Sequence, residues 1–570
     1  MDRRRSNGGV SRETQGRLRQ LRDASEATLF DVRYCSSVGP VAQRLEQRTH
    51  NPLVLGSNPS GPTKVSSDFA DSQFSCCGGI AFLLAKIQWT KCVTASRIKP
   101  QTLACIQLRV TALFHSSRGS NTLKNNLTRR EVLARLSKVA VFSSLPTMTF
   151  FPFGCGSGST SSPPPPQGDG YPGTGDQLLE EIEKAVFLFF WEQADSTTGQ
   201  VKDRALAAGN DTRTVSSIAA TGFGLTALCI GDQRGYQPSA AIAARVQTTL
   251  NFVLNQLQPN GMNGFLYHFV DMTTGARAFT SEVSSIDTAI LLCGALMCRQ
   301  HFSQDPQIPG LVTQIYNNVN FAWMLNGGTT LSMGWKPESG FLSARWNSYS
   351  ELMMLYLLAM ASPTFPIPAS SWAAWSRPTI QYQGLSYISG SDPLFVHQYS
   401  HAWFDFRAKK DVFANYFQNS ITATQAHRLF CLSLSRQFSD YSADLWGISA
   451  SDSKNGYVAW GGPSAQGTPI GPVDGSIVPC ATAGSLPFDF ADTIHVLRWI
   501  RGHYPQAWQR YSYVDAFNPL TGWYDPDVIG IDLGISMLMA ENQRTQFVWN
   551  TFMKDPAAQN GMNLAGFQPG

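Results

Sequence analysis

Two kinds of helical segment alternate along residues 176–360, and this order restricts the possible folds more than any other feature of the chain. One kind carries apolar residues on a single face, as in 176–195, 239–257 and 309–325; the other is apolar almost all round, as in 215–231, 284–300 and 350–360. A helix with one apolar stripe lies at a surface, whereas a helix that is apolar on every side is buried. The order therefore predicts helical hairpins in which outer helices enclose inner ones.

The size of the helical region sets the number of hairpins. The roughly 395 residues from Asp176 onward leave about 65 for each of six hairpins, which is room for two helices of average length and long loops. The 43% hydrophobic and 15% charged content is typical of a large globular core. We predict an all-α fold for residues 176–568, an (α/α)6 toroid in which six helical hairpins form a barrel.

Charge divides the chain into two unlike parts. Residues 1–147 carry 22 Lys and Arg against 9 Asp and Glu, whereas residues 148–570 carry 22 against 31. The acidic body argues against nucleic acid as a partner, because phosphate binding requires clustered Lys and Arg. Five body cysteines lie in mostly apolar helical segments without a CxxC pair, so we predict buried thiols, no metal and no cofactor: Cys229, Cys293, Cys298, Cys431 and Cys480.

The basic N-terminal part has its own interpretation. Residues 41–63 read VAQRLEQRTHNPLVLGSNPSGPT and show no helical or strand period. This string resembles the conceptual translation of a transfer RNA gene, in which the T-arm encodes GSNPS. We interpret residues 1–122 as such a spurious translation, with a disordered basic arm as the alternative.

Residues 123–155 have the parts of an export signal. Arg129 and Arg130 precede an apolar stretch that is too short for a stable membrane span, and small residues follow up to Cys155. The order resembles a twin-arginine signal with Cys155 as a lipidated residue, although Pro152 stands where such signals usually have Leu. We expect an exported protein, periplasmic or lipid-anchored at the cell envelope, with residues 156–175 as a Ser/Pro/Gly linker.

Carboxylates stand at the entrances of three apolar helices. Glu351 precedes nine uncharged residues, Glu282 and Asp287 begin a second such segment, and Asp532 begins a third. Each acid has a structural alternative, since Ser348-x-x-Glu351 and Ser284-x-x-Asp287 fit a capping box and Asp532 fits an N-cap. In a toroid, however, the N-termini of successive inner helices face one side. The acids would then meet in one pocket, where paired carboxyl groups can cleave a glycosidic bond.

The long loops between the helices are rich in Trp and Tyr interleaved with polar residues, a composition that suits a sugar substrate. His397 and His401 are spaced i, i+4, which could serve a metal, but the H-E-x-x-H glutamate is absent and we prefer sugar contacts. The predicted substrate-binding residues are Asp287, Trp335, Arg345, His401, Asp405, Arg407, Trp446 and Trp523.

Seven stretches together resemble the bacterial glucoamylase-like domain family, over about residues 176–568: SIAATGFGLTAL, SEVSSIDTAILLCGAL, GWKPESGFLSARWNSYSELMMLYLLA, FVHQYSHAWFDFR, DLWGISASD, YVDAFNPLTGWYDPDVIGIDLG and the closing AGF. The resemblance implies an (α/α)6 barrel and relatives that include exported, inverting endo-β-1,2-glucanases. The sequence is also similar to the glucan-transferring domain of cyclic β-1,2-glucan synthases. Matched motif by motif, the family's essential acids fall on Glu282, Glu351 and Asp532, and Asp203 in GQVKDR falls on a substrate-binding loop.

Three functional hypotheses follow. The first is a monomeric glycoside hydrolase that cleaves β-glucan, endo-acting on β-1,2-glucan, with an oligo- or polysaccharide as its partner. The second is a glucan transglycosylase, which would alter chain length without creating new reducing ends. The third is a non-catalytic lipoprotein that binds glycans at the cell surface with inert acids.

Overall fold

Helices dominate the computed structural model, which describes residues 168–390, 393–464 and 471–570. The ten helices of nine or more residues in these ranges are α1 (Gly175–Glu192), α2 (Ile218–Arg234), α3 (Ser239–Phe252), α4 (Ser285–His301), α5 (Ile308–Asn317), α6 (Met353–Ala361), α7 (Tyr416–Ser433), α8 (Phe490–His503), α9 (Gly530–Arg544) and α10 (Pro556–Leu564). A π-helical turn, Val253–Leu257, continues α3. Shorter helical segments are Gln258–Asn260, Phe321–Met324, Ala369–Ala373, Leu394–His397, Tyr399–Trp403, Pro479–Ala483, Pro505–Ala507 and Phe547–Phe552.

Several predictions concern residues outside these ranges. The interpretation of residues 1–122 and the export signal at 123–155 with Cys155 lie outside the described residues, as does the linker up to residue 167. Within the described ranges, no helix combines the length and the apolar character needed to cross a bilayer.

The burial of the helices follows the predicted alternation. Every residue of α6 is buried, and α2 and α4 are each buried over 14 consecutive residues. By contrast, α1, α3 and α5 bury one face and expose the other. The five body cysteines are buried free thiols, as predicted.

Local sequence signals explain where helices begin and end. Thr174 and Gln177 form a reciprocal capping box at the start of α1, and the Ser217 hydroxyl accepts the Ala220 N–H at the start of α2. The chain leaves α2 through Gly235, which adopts the left-handed conformation with φ 69°.

Short antiparallel strands accompany the helices: β1 (Arg204–Leu206), β2 (Val215–Ser217), β3 (Leu266–Tyr267), β4 (Phe269–Asp271), β5 (Val283–Ser284), β6 (Gly334–Lys336), β7 (Gly340–Phe341), β8 (Thr379–Tyr382), β9 (Leu385–Ile388), β10 (Lys409–Lys410), β11 (Ala450–Ser451), β12 (Val458–Ala459), β13 (Trp508–Gln509), β14 (Ser512–Tyr513), β15 (Phe517–Asn518), β16 (Trp523–Tyr524), β17 (Asp527–Ile529) and β18 (Gln568–Pro569). The all-α prediction omitted them, because strands of two to four residues are too short to show a period-2 pattern.

The strand pairs that matter for the site stand directly before apolar helices. Strand β2 leads into α2, β5 into α4 and β17 into α9. Each has partners from elsewhere in the chain: β2 pairs with β4, β5 lies in the sheet β3-β5-β6-β7, and β17 pairs with β1. Main-chain hydrogen bonds therefore fix the entrances of three buried helices.

Candidate active site

The backbone of Asp203 joins two of these helix entrances. Its N–H donates to the Val215 carbonyl in β2 (3.0 Å), and its carbonyl accepts the N–H of Gly530, the first residue of α9 (2.7 Å). Strand β1, which begins at the next residue, pairs with β17 along Arg204 to Leu206. The entrances of α2 and α9 are thus held at the same short segment, and the Asp203 side chain projects from it.

A histidine links the two acids at the entrance of α4. His268 Nδ1 lies 3.0 Å from Glu282 Oε1, and its Nε2 lies 3.7 Å from Asp287 Oδ1. The backbones of His268 and Glu282 are also joined, since the His268 N–H donates to the Glu282 carbonyl (2.9 Å). Both acids are 8% exposed. The imidazole therefore fixes the position of two carboxylates predicted from the sequence.

The charges around His268 favour the protonated form of its imidazole. Burial opposes protonation of His268, but Asp287 and Glu282 outweigh it, with a smaller contribution from Asp203, and raise the pKa to about 9. Burial raises the pKa of Asp287, whereas the His268 charge acts in the opposite direction. At neutral pH the His268 side chain is thus a cation facing acids.

Glu351 lies at the entrance of α6 and is 3% exposed. Its carbonyl accepts a hydrogen bond from the Ser400 hydroxyl (2.7 Å), which in turn accepts the Met354 N–H (3.1 Å). Nearby, Trp346 Nε1 donates to Ser285 Oγ (2.8 Å), which connects the segment before Glu351 to the start of α4. The entrances of α4 and α6 are therefore also close.

The capping alternatives have different outcomes. Helix α6 begins at Met353 without a side-chain cap, so the capping box from Ser348 to Glu351 is wrong. Asp532 is the third residue of α9 and not its N-cap. At α4 the alternative is correct in part: Ser284 Oγ accepts the Asp287 N–H (3.3 Å) and donates to the Asp287 carboxylate (2.5 Å).

Asp532 lies against two further ionisable side chains. Cys480 Sγ donates to Asp532 Oδ1 (3.4 Å), and the carboxyl group of Asp515 influences the pKa of Asp532. The three residues line one small cavity. Asp532 is 5% exposed, and burial raises its pKa to about 6.

A single arginine connects this group to Asp203. Arg204 Nε donates to Asp203 Oδ2 (3.0 Å), and its Nη1 donates to Asp452 Oδ2. The Asp452 N–H donates to Asp515 Oδ2 (2.7 Å), next to Asp532. Because the Asp203 charge also raises the pKa of His268, this carboxylate stands in electrostatic range of both acid groups.

Both Glu351 and Asp532 lie within electrostatic range of the Tyr399 phenol. Its side chain is buried, and burial raises its pKa well above the ordinary value, with further contributions from Asp532 and Glu351. Two acids at the entrances of different helices thus act on one aromatic side chain. The structure thus places His268 against Glu282 and Asp287 and Arg204 against Asp203 and Asp452, while Glu351 and Asp532 share electrostatic range of Tyr399.

The predicted loop residues have varied positions. Trp335 and Trp523 are half-buried in β6 and β16. Arg345 holds its own loop, since its guanidinium donates to the Leu325 carbonyl (2.6 Å) and to the Thr330 hydroxyl (3.1 Å). Trp446 is fully buried.

The three residues of the 397–407 loop predicted to bind sugar make other contacts in the described ranges. His401 is 1% exposed among Phe406, Phe417 and Phe488, and burial lowers its pKa to about 3. Asp405 and Arg407 pair with each other at 2.9 Å. The structure does not bring them to the acid groups.

Sequence reasoning missed His268, Arg204, Asp452 and Asp515. Three of them belong to motifs already noted, since Arg204 ends GQVKDR, Asp452 ends DLWGISASD and Asp515 lies in YVDAF. These motif positions are the signal that could have found them, whereas His268 lies outside the quoted motifs. Only the folded chain shows which partners these side chains have.

Two groups offer ligand atoms within 4.8 Å of one another, as a metal site would: His268 with Glu282 and Asp287, and Asp452 with Asp515 and Asp525. In the first group the protonated imidazole already supplies a positive charge. In the second, Arg204 donates to Asp452. Internal cations therefore account for part of the acidic charge, and we assign neither group as a metal site.

Part of the chain matches a known protein family. Residues 343–556 match the family model described as "Putative glucoamylase". This match supports the resemblance seen in the sequence.

Three similar proteins have names that concern β-1,2-glucan. A curated relative from Parabacteroides distasonis, exo β-1,2-glucooligosaccharide sophorohydrolase (non-reducing end), is 26% identical over 431 residues, which cover 69% of this chain and 58% of that protein. The endo-β-1,2-glucanase of Chitinophaga pinensis, solved with sophorotriose and glucose, is 26% identical with a TM-score of 0.64, covering 69% of this chain and 99% of its own. A β-1,2-glucanase structure from Parabacteroides distasonis is 25% identical with a TM-score of 0.64, and the match covers 70% of this chain and 60% of that one. The chain thus spans little more than half of the curated relative.

Proposed function

We propose that the protein is a glycoside hydrolase that cleaves β-glucan, endo-acting on β-1,2-glucan. The observation that carries the proposal is the pair of buried carboxylates, Glu351 and Asp532, which stand at the entrances of two buried helices and within electrostatic range of the same buried phenol, Tyr399. Glycoside cleavage requires two carboxyl groups with different protonation. The substrate class rests on the relatives, whose names concern β-1,2-glucans.

In the proposed mechanism, Asp532 is the base and Glu351 the acid. With a pKa of about 6, Asp532 is mostly ionised at neutral pH and can accept a proton from water as the water oxygen attacks the anomeric carbon. Glu351 protonates the leaving oxygen. Glu282, held by the His268 cation, places negative charge near the developing oxocarbenium ion.

The proposal includes the predicted (α/α)6 toroid and the predicted monomer. Its support is that α9 packs against both α1 and α2, so that helices from the end and from the beginning of the body are neighbours. A strand that pairs with another part of the chain stands at each entrance of α2, α4 and α9. This arrangement is compatible with inner helices that open to one side.

A hydrolysis assay tests the activity. The full chain is incubated with linear β-1,2-glucan and, separately, with maltooligosaccharides, and new reducing ends and product lengths are followed. We expect reducing ends from the β-1,2-glucan only. A ladder of product lengths supports endo cleavage, whereas release of sophorose alone would match the exo-acting relative. Products longer than the substrate without new reducing ends would favour the transglycosylase. Absence of turnover on every glucan, with binding retained, would favour the glycan-binding lipoprotein.

We further propose export, with attachment through a lipid on Cys155, from the sequence of residues 123–155 alone. Expression with and without Cys155→Ala, followed by fractionation of the cell envelope, tests it. We expect the wild type with the membranes and the variant in the soluble periplasm. Equal amounts of both proteins in the cytoplasm would contradict the proposal.

A further inference from the structure

We propose that Phe279 is a substrate-binding residue, whose exposed ring stacks on a glucosyl unit of a β-1,2-glucan bound beside Glu282. The inference rests on the proposed function and adds to it a residue that takes part in no proton transfer. Phe279 lies in the connection between β4 and β5, three residues before Glu282. It contributes to how tightly the glucan binds and leaves the chemical step to the acids.

The ring of Phe279 is exposed although it is large and apolar. It is 47% exposed, one of a small set of large hydrophobic side chains that face solvent in the described ranges. An aromatic side chain stabilises a fold mainly through the area that it buries, so much of what this ring could contribute is unused. The exposed area is available to a ligand, and aromatic faces are a usual lining of sites for small molecules.

The backbone holds Phe279 in a costly conformation. Its φ is 53°, in the left-handed region, where a bulky residue is rare. The Ser281 N–H donates to the Ala278 carbonyl (3.4 Å) and closes a turn in which Phe279 is the first central residue. Turns with a positive φ at this position favour Gly, Asn or Asp. Residues under such strain are concentrated at active sites and ligand clamps.

Hydrogen bonds hold this turn in place. The Ala278 N–H and the Ser281 hydroxyl both donate to the Phe269 carbonyl, at 3.0 and 3.1 Å. Arg277 Nε donates to the Ser281 carbonyl (2.5 Å), and its guanidinium pairs with Glu338 in the connection between β6 and β7. Because the turn is fixed before a ligand arrives, little conformational freedom is lost when the ring is covered.

A row of ring contacts leads from Phe279 to the acid. Phe279 packs edge to face on Phe269, with ring centroids 6.0 Å apart, and Phe269 stacks on His268 at 3.9 Å. His268 Nδ1 in turn lies 3.0 Å from Glu282 Oε1. The His268 side chain is itself 23% exposed, so this row is open to solvent at the acid as well as at Phe279. A glucan that contacts the Glu282 carboxylate therefore has an aromatic surface beside it.

Two substitutions in the full chain test the stacking. Phe279→Ala removes the ring, and both the dissociation constant of a β-1,2-glucooligosaccharide and KM for linear β-1,2-glucan should rise about 5- to 10-fold, with kcat within about threefold of wild type. Phe279→Tyr keeps the ring and should bind within about twofold of wild type. Phe490→Ala is the control, since it removes a 39% exposed ring from the start of α8 and should leave binding unchanged.

Thermal unfolding separates a binding role from a structural one. Gly adopts a positive φ without steric cost, so Phe279→Gly relieves the strain at the turn. We expect an unfolding midpoint equal to or above that of wild type, together with the same loss of affinity as in Phe279→Ala. Unchanged affinity in both variants overturns the inference. A loss of affinity accompanied by a lower midpoint in Phe279→Gly would assign the loss to a disturbed turn and also overturns it.

Binding measured without turnover distinguishes this inference from the proposed function. Calorimetric titration with the β-1,2-glucooligosaccharide gives the affinity of the wild type and of each variant. If the wild type hydrolyses no glucan but Phe279→Ala weakens binding, the proposed function fails and the role of Phe279 stands. If an active wild type and Phe279→Ala bind equally, the inference alone fails. A wild type that neither binds nor hydrolyses β-1,2-glucan overturns both.

Discussion

The ionisation of single side chains decides what the acids of this site can do. The imidazole of His268 has Glu282 on one nitrogen and Asp287 near the other, and this pairing keeps it protonated at neutral pH. Asp532, which has a thiol and a second carboxyl group as partners, titrates close to neutrality. The site can thus hold a cation in one group and a base with a pKa of about 6 in another.

Replacement of His268 by Gln should reduce stability in a pH-dependent way. A His with an unfolded pKa near 6.5 and a folded pKa of about 9 contributes stability that is complete below pH 6.5 and lost as the pH rises through 9. With allowance for the 23% exposed side chain, the contribution is about 2 kcal/mol. The difference in the free energy of unfolding between wild type and His268→Gln should therefore shrink by that amount from pH 6 to pH 10, measured by urea unfolding.

The exposed His503 supplies the control for this measurement. His503→Gln, which replaces this exposed imidazole, is measured over the same pH range. A difference for His268→Gln that stays constant, or grows toward alkaline pH, would contradict a protonated His268.

At the scale of elements, helices were predictable and strands were not. The apolar segments at 215–231 and 350–360 predicted α2 and α6 because burial of a whole helix leaves an unbroken apolar run in the sequence. Their starts were placed three residues early, since Val215–Ser217 forms strand β2 and α6 begins only at Met353. Strand pairing depends on partners distant in the chain, and no local pattern of two or three residues records it.

Close contact of α2 with α4 gives a prediction at this scale. A methyl group on Gly294 would overlap the carbonyl oxygen of Gly222, and backbone cannot move aside as a flexible side chain can. We expect Gly294→Ala to lower the free energy of unfolding by about 2–3 kcal/mol, as measured by chemical denaturation.

Gly310 in α5 is the matched control, because a methyl group there meets no other atom within 4 Å. Gly310→Ala should leave stability unchanged or increase it by about 0.5–1 kcal/mol through helix propensity. Equal effects of the two substitutions would mean that the two inner helices do not pack backbone to backbone at this point.

At the scale of the whole molecule, contacts between distant segments hold the body together. Asp555, fully buried at the start of α10, receives a two-pronged bond from Arg299 near the end of α4, with distances of 2.7 and 2.8 Å. Helix α10 packs in turn against α6, which begins beside Glu351. The acids at the helix entrances could be read from the sequence, but their cross-connections through His268, Arg204 and Asp515 depend on this long-range folding.

Loss of Arg299 should therefore affect the entire body. Arg299→Met leaves the Asp555 carboxylate buried without its cation, and breaking such a buried pair costs about 3–5 kcal/mol. We expect a single unfolding transition at clearly lower temperature in calorimetry. Arg510→Met, which removes an exposed ion pair with Glu192, should unfold close to wild type. Similar shifts for both variants would contradict this account of the C-terminal helix.

The central claim is that carboxylates at separate helix entrances form one catalytic site, and Glu351→Gln tests it most directly. The turnover of β-1,2-glucan and the dissociation constant for a β-1,2-glucooligosaccharide are measured on the same folded protein. We predict a loss of turnover by about 10²- to 10⁴-fold, the usual contribution of a general acid, with binding unchanged within about threefold. Turnover within tenfold of the wild type, or a loss that is matched by the loss of sugar binding, would contradict the claim.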